Sequence, residues 1–587
     1  MKTNKKINIQ NEKLILIMII FIQCIFVSVM FGVKKQGYHS DEMWNYALAN
    51  SSDGRRIERD DDGNPKNLYE WTDSKVFLEY ISVGKDEIFD YKSTYMNALH
   101  DYNPPLQNML LHLVCSFFPN KWSKWYGFFV NLLAFVITQI YLYKTLRLLC
   151  MGEKGTIAGV LLYGFCAGTM ENLAFLRIYA LGAAFAVAFF YYFTKIYFDS
   201  IKSKADVKDF VKLFAVCFLG AFTIMQFMVV AFAVTVGYLI ALLLKKKIKM
   251  FFACGMTCLF SVALAILASL DTFIKLFFGE TTYAQIKTED STGPSVVYQF
   301  WKYLSFLTKD NIGIYNELEI SFGYMLVCLI LGMIFFVFLL ICFFSRKKQW
   351  FIDMKNNLIE YTKRLFENLK KESVSLLVLL FTILFFLIIN AKITSIEKMG
   401  IYSKRYIFMV YPLFVLMIAV LINVISQSKK KNRNMINVGI AVFCAVLSLI
   451  LADNAFFMMF ERKGVRFEDI EDNADCIIIV EDRWLLTLFT GELYNTHSFY
   501  ALERKDYKRD NYAEMESGGG PLYLFFDVSK ECLSKDESDI LMAKASGGML
   551  NKNEILEYYK NLPISTGCEL VGQEYIHDRK VEIYRLK

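Results

Sequence analysis

The chain has 587 residues, of which 55% are AVILMFWYC and a further 31 are Gly, well above the roughly 45–50% apolar usage of soluble domains counted the same way. With 8 Pro and 21% charged residues it is not collagen-like, low-complexity or a highly charged disordered chain. The net charge of +7 has to be read by position, because in a lipid-bathed chain basic residues mark one side of the membrane.

A bilayer core is crossed by about twenty apolar residues in a helix, since no water is present to satisfy backbone groups. Runs that meet this demand lie at 14–33, 125–143, 156–170, 173–197, 210–225, 227–244, 250–278, 321–344, 374–391, 406–425 and 436–457, about eleven spans. The stretch 210–244 is read as two short spans. Its alternative, one long tilted helix, would put the cluster Lys245, Lys246, Lys247 and Lys249 on the wrong side. Basic residues fall on alternate loops: Lys2, Lys5 and Lys6 before the first span, Lys144 and Arg147 after the second, and Lys195, Lys202 and Lys204 after the fourth. Arg346 and Lys347 follow the eighth span and Lys429 to Lys431 the tenth, so the N-terminus is expected to be cytoplasmic. The positive charge then belongs to cytoplasmic loops and calls for no nucleic acid. The first span lacks an A-x-A cleavage site and is read as a retained helix.

The fold expected is an α-helical polytopic membrane protein over residues 1–457, with outer loops at 34–106, carrying juxtamembrane helices, and at 279–320. A small extracytoplasmic α/β domain is expected over 458–587. In that domain, strand-like runs cover 476–480, 521–528, 569–575 and 580–586, and helical patterns cover 483–494 and 538–550. The thirteen Cys lie mostly in apolar runs and show neither a disulfide framework nor zinc spacing; Cys254 and Cys258, one turn apart, read as packing residues. The Gly518-Gly519-Gly520-Pro521 run leads into a strand and lacks the Lys and Ser/Thr of a phosphate loop, so it reads as a turn.

Polar residues gather on the outer side. After the first span comes Tyr38-His39-Ser40-Asp41-Glu42-Met43-Trp44, in which Ser40 is expected to cap an amphipathic helix lying along the membrane surface, with Met43, Trp44, Ala47 and Leu48 on one side. Asp41 and Glu42 would then sit at headgroup depth, where their simplest role is to complement the helix N-terminus. The next group is His100-Asp101-Tyr102-Asn103-Pro104-Pro105-Leu106, whose Pro pair starts a helix and places Asp101 at its N-terminus. In the fourth span, Glu171, Arg177 and Tyr179 follow, with Arg177 about nine Å from Glu171 at helical rise and in need of a partner. Lys404 and Arg405 enter the tenth span from outside.

The Asp41-Glu42 pair, Asp101-x-x-Pro104-Pro105-Leu106, Arg177-x-Tyr179-x-Leu181 and Arg405-Tyr406, in this order and on one side, resemble the polytopic GT-C glycosyltransferases. The pattern is most like the protein O-mannosyltransferases and the lipid A aminoarabinose transferases, and runs through residue 425, with Asn103 standing where many relatives have His. The resemblance implies GT-C architecture and a polyprenyl-phosphate-linked sugar as donor, with a glycan, lipid or protein acceptor. It makes Asp41 the general base with Glu42 in support, and allows Asp101 to orient the acceptor or to bind a divalent metal ion together with Asp41. No cofactor is certain. A leaving phosphate needs fixed cations, and Arg177, Lys404 and Arg405 are the candidates, with Glu171 and Tyr179 completing the donor site. For Arg177 the competing role is an ion pair with Glu171 that fixes two helices; for Arg405 it is an interface anchor. A His beside carboxylates, as at His39 and His100, reads more simply as a surface residue. The alternative function is a transporter or flippase, which would place ionisable groups at the midplane and show repeated halves.

Overall fold

The computed structural model describes residues 2–52, 57–60, 64–99, 103–149, 153–278, 295–312, 374–394, 400–426, 433–451, 463–464, 470–480, 483–503, 521–527, 568–576 and 579–586. In chain order the helices are α1 (Lys2–Lys34), α2 (Ser40–Asn50), α3 (Lys75–Ile81), α4 (Tyr91–Leu99), α5 (Leu106–Cys115), α6 (Lys124–Leu148) and α7 (Glu153–Phe165). They continue with α8 (Ala167–Ala174), α9 (Tyr179–Ile201), α10 (Val207–Ala221), α11 (Gln226–Leu244), α12 (Ile248–Ala268) and α13 (Leu270–Phe278). Beyond these lie helices at Val296–Ile312, Val374–Ile393, Tyr411–Ser426 and Arg433–Leu451, and a long 3-10 segment at Gly400–Val410.

Among the described residues, seven helices are long and apolar enough to cross a membrane, and α7 with α8 makes an eighth if that pair, bent by 51°, is one span. The expected count of about eleven is not reached there. The run 321–344 lies outside the described residues, α10 has only 15 residues, and the apolar part of the last helix is the short Val438–Leu449. The stretch 210–244 does divide, at 222–225, and both halves pack against α9.

Helix α9 is the centre of the bundle, touching α6, α10, α11 and the 3-10 segment. Its run of buried small residues, Gly182, Ala183, Ala184, Ala186 and Ala188, lets neighbouring backbones approach closely, which is how helices gain contact where lipid competes for every apolar surface. Polar side chains supply the directional contacts. Gln23 of α1 donates to the Val160 carbonyl at 3.0 Å, and Gln139 of α6 donates to Gln23 Oε1 at 2.8 Å. A Cβ on Gly164 would lie 2.0 Å from Gln23 Nε2, so glycine is what lets α1 reach α7. By contrast α1 and α12 carry exposed Ile17, Phe21, Leu259 and Leu267 on the rim of the bundle, the surface a lipid would cover.

Among the described residues the strands are β1 (Trp71–Asp73), β2 (Lys463–Gly464), β3 (Asp475–Val480), β4 (Ser498–Glu503), β5 (Leu522–Asp527), β6 (Cys568–Ile576) and β7 (Arg579–Leu586), and these seven form one C-terminal sheet in the order β1-β4-β3-β5-β7-β6-β2. β3 is buried at every residue and pairs in parallel with β4 and β5, as a continuous Cys-Ile-Ile-Ile-Val run should when both faces are covered. Two features depart from expectation. The helix expected at 483–494 is a 3-10 segment, Arg483–Phe489, followed by turns, while the pattern at 538–550 lies outside the described residues. The edge strand β1 comes from the first outer loop, with Trp71 opposite Tyr500, so the sheet draws on both ends of the chain. Phe77 of α3 stacks on Phe499 with centroids 4.3 Å apart and ties the loop to the sheet a second time.

The charge pattern predicts a sidedness that labelling can check. Asp86→Cys, in the exposed 3-10 turn Lys85–Glu87, is expected to react with a membrane-impermeant maleimide on intact cells. Lys204→Cys, in the exposed turn after α9, should react only after permeabilisation, and the opposite pattern would invert the topology.

Candidate functional site

Helix α2 begins where a side chain satisfies its first free amides. His39 is the N-cap, its Nδ1 accepting the Asp41 N–H at 3.1 Å, while Glu42 Oε2 accepts the His39 N–H at 2.7 Å to complete a capping box. The expected cap, Ser40, is instead the first helical residue. The helix does not lie along a surface either. Nine of its eleven residues are buried, because the turn after Arg483–Phe489 covers it: a Cβ on Gly491 would sit 2.5 Å from Met43 Sδ, and Trp122 packs between Tyr46 and Tyr494.

Glu42 is wholly buried. Lys35 Nζ donates to both its oxygens at 2.8 and 2.9 Å, and Oε1 also accepts the Leu176 N–H at 2.8 Å. With the His39 amide this makes four hydrogen bonds from three donors on one carboxylate, joining the end of α1, the start of α2 and the link between α8 and α9. Burial pushes the Glu42 carboxyl up and the Lys35 ammonium down; their pairing acts against both shifts, and the backbone donors act against that of Glu42. The Glu42 carboxylate is therefore sealed within the protein, with its oxygens taken up by these bonds.

Asp41, one residue earlier and so about 100° around the helix, points elsewhere. Its carboxylate is about one-third exposed, and Oδ2 lies 2.8 Å from Arg405 Nη1. The guanidinium of Arg405 is buried against the rings of Phe175 and Tyr406, at 5.7 and 5.1 Å from their centroids, and donates to the Tyr406 hydroxyl at 3.2 Å. Tyr179 stacks on Phe175 and meets Tyr406 edge-on. Arg177 and Asp41 are also near enough to act electrostatically on the Tyr179 hydroxyl.

The chain at 175–178 was expected to be helical and is not. Helix α8 ends at Ala174 and α9 begins at Tyr179, so Arg177 sits on a break rather than further along a helix from Glu171. Three polar side chains hold that break open: Asn131 donates to the Leu173 and Phe175 carbonyls, Asn45 donates to the Leu176 carbonyl, and Glu42 takes the Leu176 amide. The Arg177 side chain is buried and its Nε has no hydrogen-bond partner among the described residues.

Glu171 pairs with Lys404, and Lys404 Nζ is also 3.8 Å from Asp310 Oδ2. Asp310, on the helix Val296–Ile312, accepts the Tyr411 hydroxyl at 2.7 Å. Lys404 is thus held between two buried carboxylates, and the cation that meets Asp41 is its neighbour Arg405. In a 3-10 segment successive side chains diverge by about 120°, which sends the two cations to different partners. Asp310 was not among the expected residues. Its signal in the sequence, the one acid of a helix rich in aromatic residues, was hidden by the reading of 279–320 as a loop. Asp101 and His100 lie outside the described residues, although α5 does start right after the Pro pair, at Leu106.

No protein-family model matches the sequence, and no curated protein sequence does. Similar solved structures include the crystal structure of ArnT from Cupriavidus metallidurans in the apo state, at 8% identity and a TM-score of 0.47 over 99% of this chain and 98% of that one. The same protein bound to undecaprenyl phosphate gives 10% and 0.43 over 98% and 97%. The archaeal oligosaccharyltransferase AglB from Archaeoglobus fulgidus, in complex with an inhibitory peptide and a dolichol-phosphate, gives 10% and 0.42 over 89% and 70%. Likenesses at this level carry no chemistry, and the site has to be read from its own residues.

Among the described residues no three His, Cys, Asp or Glu side chains are grouped to hold a metal ion, and Asp41 Oδ2 faces a guanidinium. A cleft of about 610 Å³ opens at the far end of α2, lined by Ser51, Ser52, Lys75, Glu79 and Glu87 among others; none of the expected site residues lines it.

The buried pair makes a stability prediction. Glu42→Ala strands the Lys35 ammonium and is expected to cost about 3–5 kcal/mol. The double variant Lys35→Met with Glu42→Leu, which leaves no lone charge, should recover most of the melting temperature of the detergent-solubilised protein. A double variant as unstable as Glu42→Ala would show that the backbone bonds to Glu42, not its charge, hold the three segments together.

Proposed function

We propose that this protein is a multi-pass membrane glycosyltransferase that moves a sugar from a polyprenyl-phosphate-linked donor to an acceptor hydroxyl on the outer face of the membrane. The observation that carries the reading is the contact of Asp41 with Arg405 at 2.8 Å, a part-open carboxylate against a buried guanidinium. Transfer of a glycosyl group needs a base for the acceptor proton on one side of the anomeric carbon and a cation for the leaving phosphate on the other. The two groups supply both. The motif pattern around Asp41, Asp101, Arg177 and Arg405 agrees with the same chemistry.

In this reading the lipid tail stays in the bilayer and the phosphate comes to Arg405, whose planar fork suits paired phosphate oxygens and whose Nε has no hydrogen-bond partner among the described residues. The arriving phosphate competes with Asp41 for the guanidinium. The freed carboxylate accepts the proton of the acceptor hydroxyl, the oxygen attacks the anomeric carbon, the carbon–oxygen bond to phosphate breaks, and the lipid phosphate leaves with its charge on Arg405. A single displacement inverts the anomeric carbon. Tyr179, Phe175 and Tyr406 wall the cation off from water, which strengthens its hold on phosphate. Arg177, on its braced break, is a second cation near Tyr179. Glu42, Glu171 and Lys404 act by position.

The cluster of Glu171, Lys404 and Asp310 within the helical region is the feature a transporter would share. One assay separates the two readings, since transport leaves the sugar–phosphate bond intact. Purified protein supplied with radiolabelled polyprenyl-phosphate sugars is expected to release or transfer sugar, and Asp41→Asn to lower that rate by about 10²–10⁴-fold with an unchanged melting temperature. Near wild-type turnover in Asp41→Asn removes the base role, and translocation without bond cleavage removes the enzyme.

A further inference from the structure

Three helices bring basic and aromatic side chains to one depth, at the end of the bundle away from Asp41 and Arg405. Helix α9 carries Tyr179 at its start and Tyr191, Tyr192 and Lys195 further on. At helical rise Lys195 lies about 24 Å from Tyr179, most of the roughly 30 Å of a bilayer core. Lys144 stands in the last turns of α6, which ends at Leu148, and Lys212 in the second turn of α10, which starts at Val207 on the same side. The charge pattern predicts that side to be cytoplasmic.

The cations there are not all paired. Lys195 is matched by Asp209 and, at 4.0 Å, by Asp199. Among the described residues Lys144 and Lys212 have no ion pair and no hydrogen bond. Lys144 Nζ lies over the rings of Tyr141 and Tyr191, 4.6 and 5.9 Å from their centroids, and Lys212 Nζ lies 5.9 Å from the centroid of Tyr192. The two ammonium groups are near enough to repel each other. A lysine at a membrane boundary ordinarily stretches its head into water, whereas these two are drawn back over neighbouring rings.

The tyrosines add a donor. Tyr141 and Tyr192 meet hydroxyl to hydroxyl at 2.9 Å, so one O–H donates within the pair and the other is left to donate outward. Tyr192 is only 8% exposed, which anchors the pair in the protein. Two ammonium groups and one O–H thus converge, and the nearby carboxylates are already paired with Lys195. Such a set fits an oxyanion. We propose that the ends of α6, α9 and α10 form a binding site for an anionic phospholipid, its phosphate held by Lys144 and Lys212 and accepting the remaining O–H of Tyr141 and Tyr192. Two unmatched positive charges call for a headgroup with net negative charge, because a zwitterionic one brings an ammonium of its own. The occupant is a lipid, since Val211 and Ala215, one turn apart on α10 beside Lys212, are exposed and offer an acyl chain an apolar track. The site is separate from the transfer chemistry, at the other end of α9.

The probes are phosphatidylglycerol, phosphatidylcholine and soluble glycerol 3-phosphate, with binding to the full chain in detergent read by native mass spectrometry. Wild type should hold phosphatidylglycerol about tenfold or more tightly than either of the others. The double variant Lys144→Met with Lys212→Met keeps the apolar stems and removes both charges. It should lose the preference, while its melting temperature without lipid stays at or above that of wild type because the repulsion is gone. Lys212→Met alone, at an exposed position, should weaken phosphatidylglycerol binding by about fivefold. Lys202→Met with Lys204→Met, which removes two exposed lysines from the turn after α9, should leave the preference intact. A preference that survives in the Lys144 and Lys212 variants, or that falls as far in the Lys202 and Lys204 variant, overturns the site. Glycerol 3-phosphate bound as tightly as phosphatidylglycerol overturns the lipid as its occupant.

Discussion

The arrangement depends on one buried carboxylate. Glu42 takes two bonds from Lys35, one from the His39 amide and one from the Leu176 amide, and these donors belong to three separate stretches of chain. A carboxylate and an ammonium removed from water are tolerated only when their hydrogen-bonding capacity is filled, and here it is filled by groups that must be correctly placed for the fold to close. The result fixes the entry of α2, and with it the direction of Asp41. It also fixes the break before α9, and with it Phe175 and Arg177.

A second constraint is the division of labour between neighbours. Asp41 and Glu42 are adjacent, as are Lys404 and Arg405, and in each pair one residue is paired deep inside the protein while the other enters the Asp41–Arg405 contact. Backbone geometry makes the division: about 100° per residue on α2 and about 120° in the 3-10 segment. The inner cation, Lys404, is held by carboxylates on α8 and on the helix Val296–Ile312, which fixes the backbone that carries Arg405. The outer pair then meets with little freedom on either side, an arrangement that would suit the proposed transfer.

The outer layer adds to that rigidity. β1 from the first loop completes the sheet, Phe77 stacks on it, and the turn at Gly491 presses on Met43 from above. The helix bearing Asp41 is thus enclosed between the membrane bundle and the C-terminal sheet. An amphipathic pattern that suggests a helix lying on lipid is satisfied here by protein on nearly every side.

Much was legible in the residues alone. Runs of apolar side chains without charge fix where helices cross, because lipid leaves the backbone no other partner, and the Pro104-Pro105 pair marks the start of α5. The strands at 475–480, 522–527, 568–576 and 579–586 follow from β-branched and aromatic runs. The acids and cations worth watching stood out because charge beside a membrane is rare. Their partners did not. That Glu171 meets Lys404, that Asp310 joins them, that residues 175–178 leave the helix, and that His39 rather than Ser40 caps α2 were decided by contacts between segments far apart in the chain. Local propensity would have carried the helix through 173–178; Asn131, Asn45 and Glu42 hold it open by offering the backbone other hydrogen bonds. Sequence by itself determined the membrane class and the identity of the charged groups, because burial cost depends on residue type. Only the tertiary structure decided which charge is sealed inside and which is left part-exposed, because pairing depends on distance.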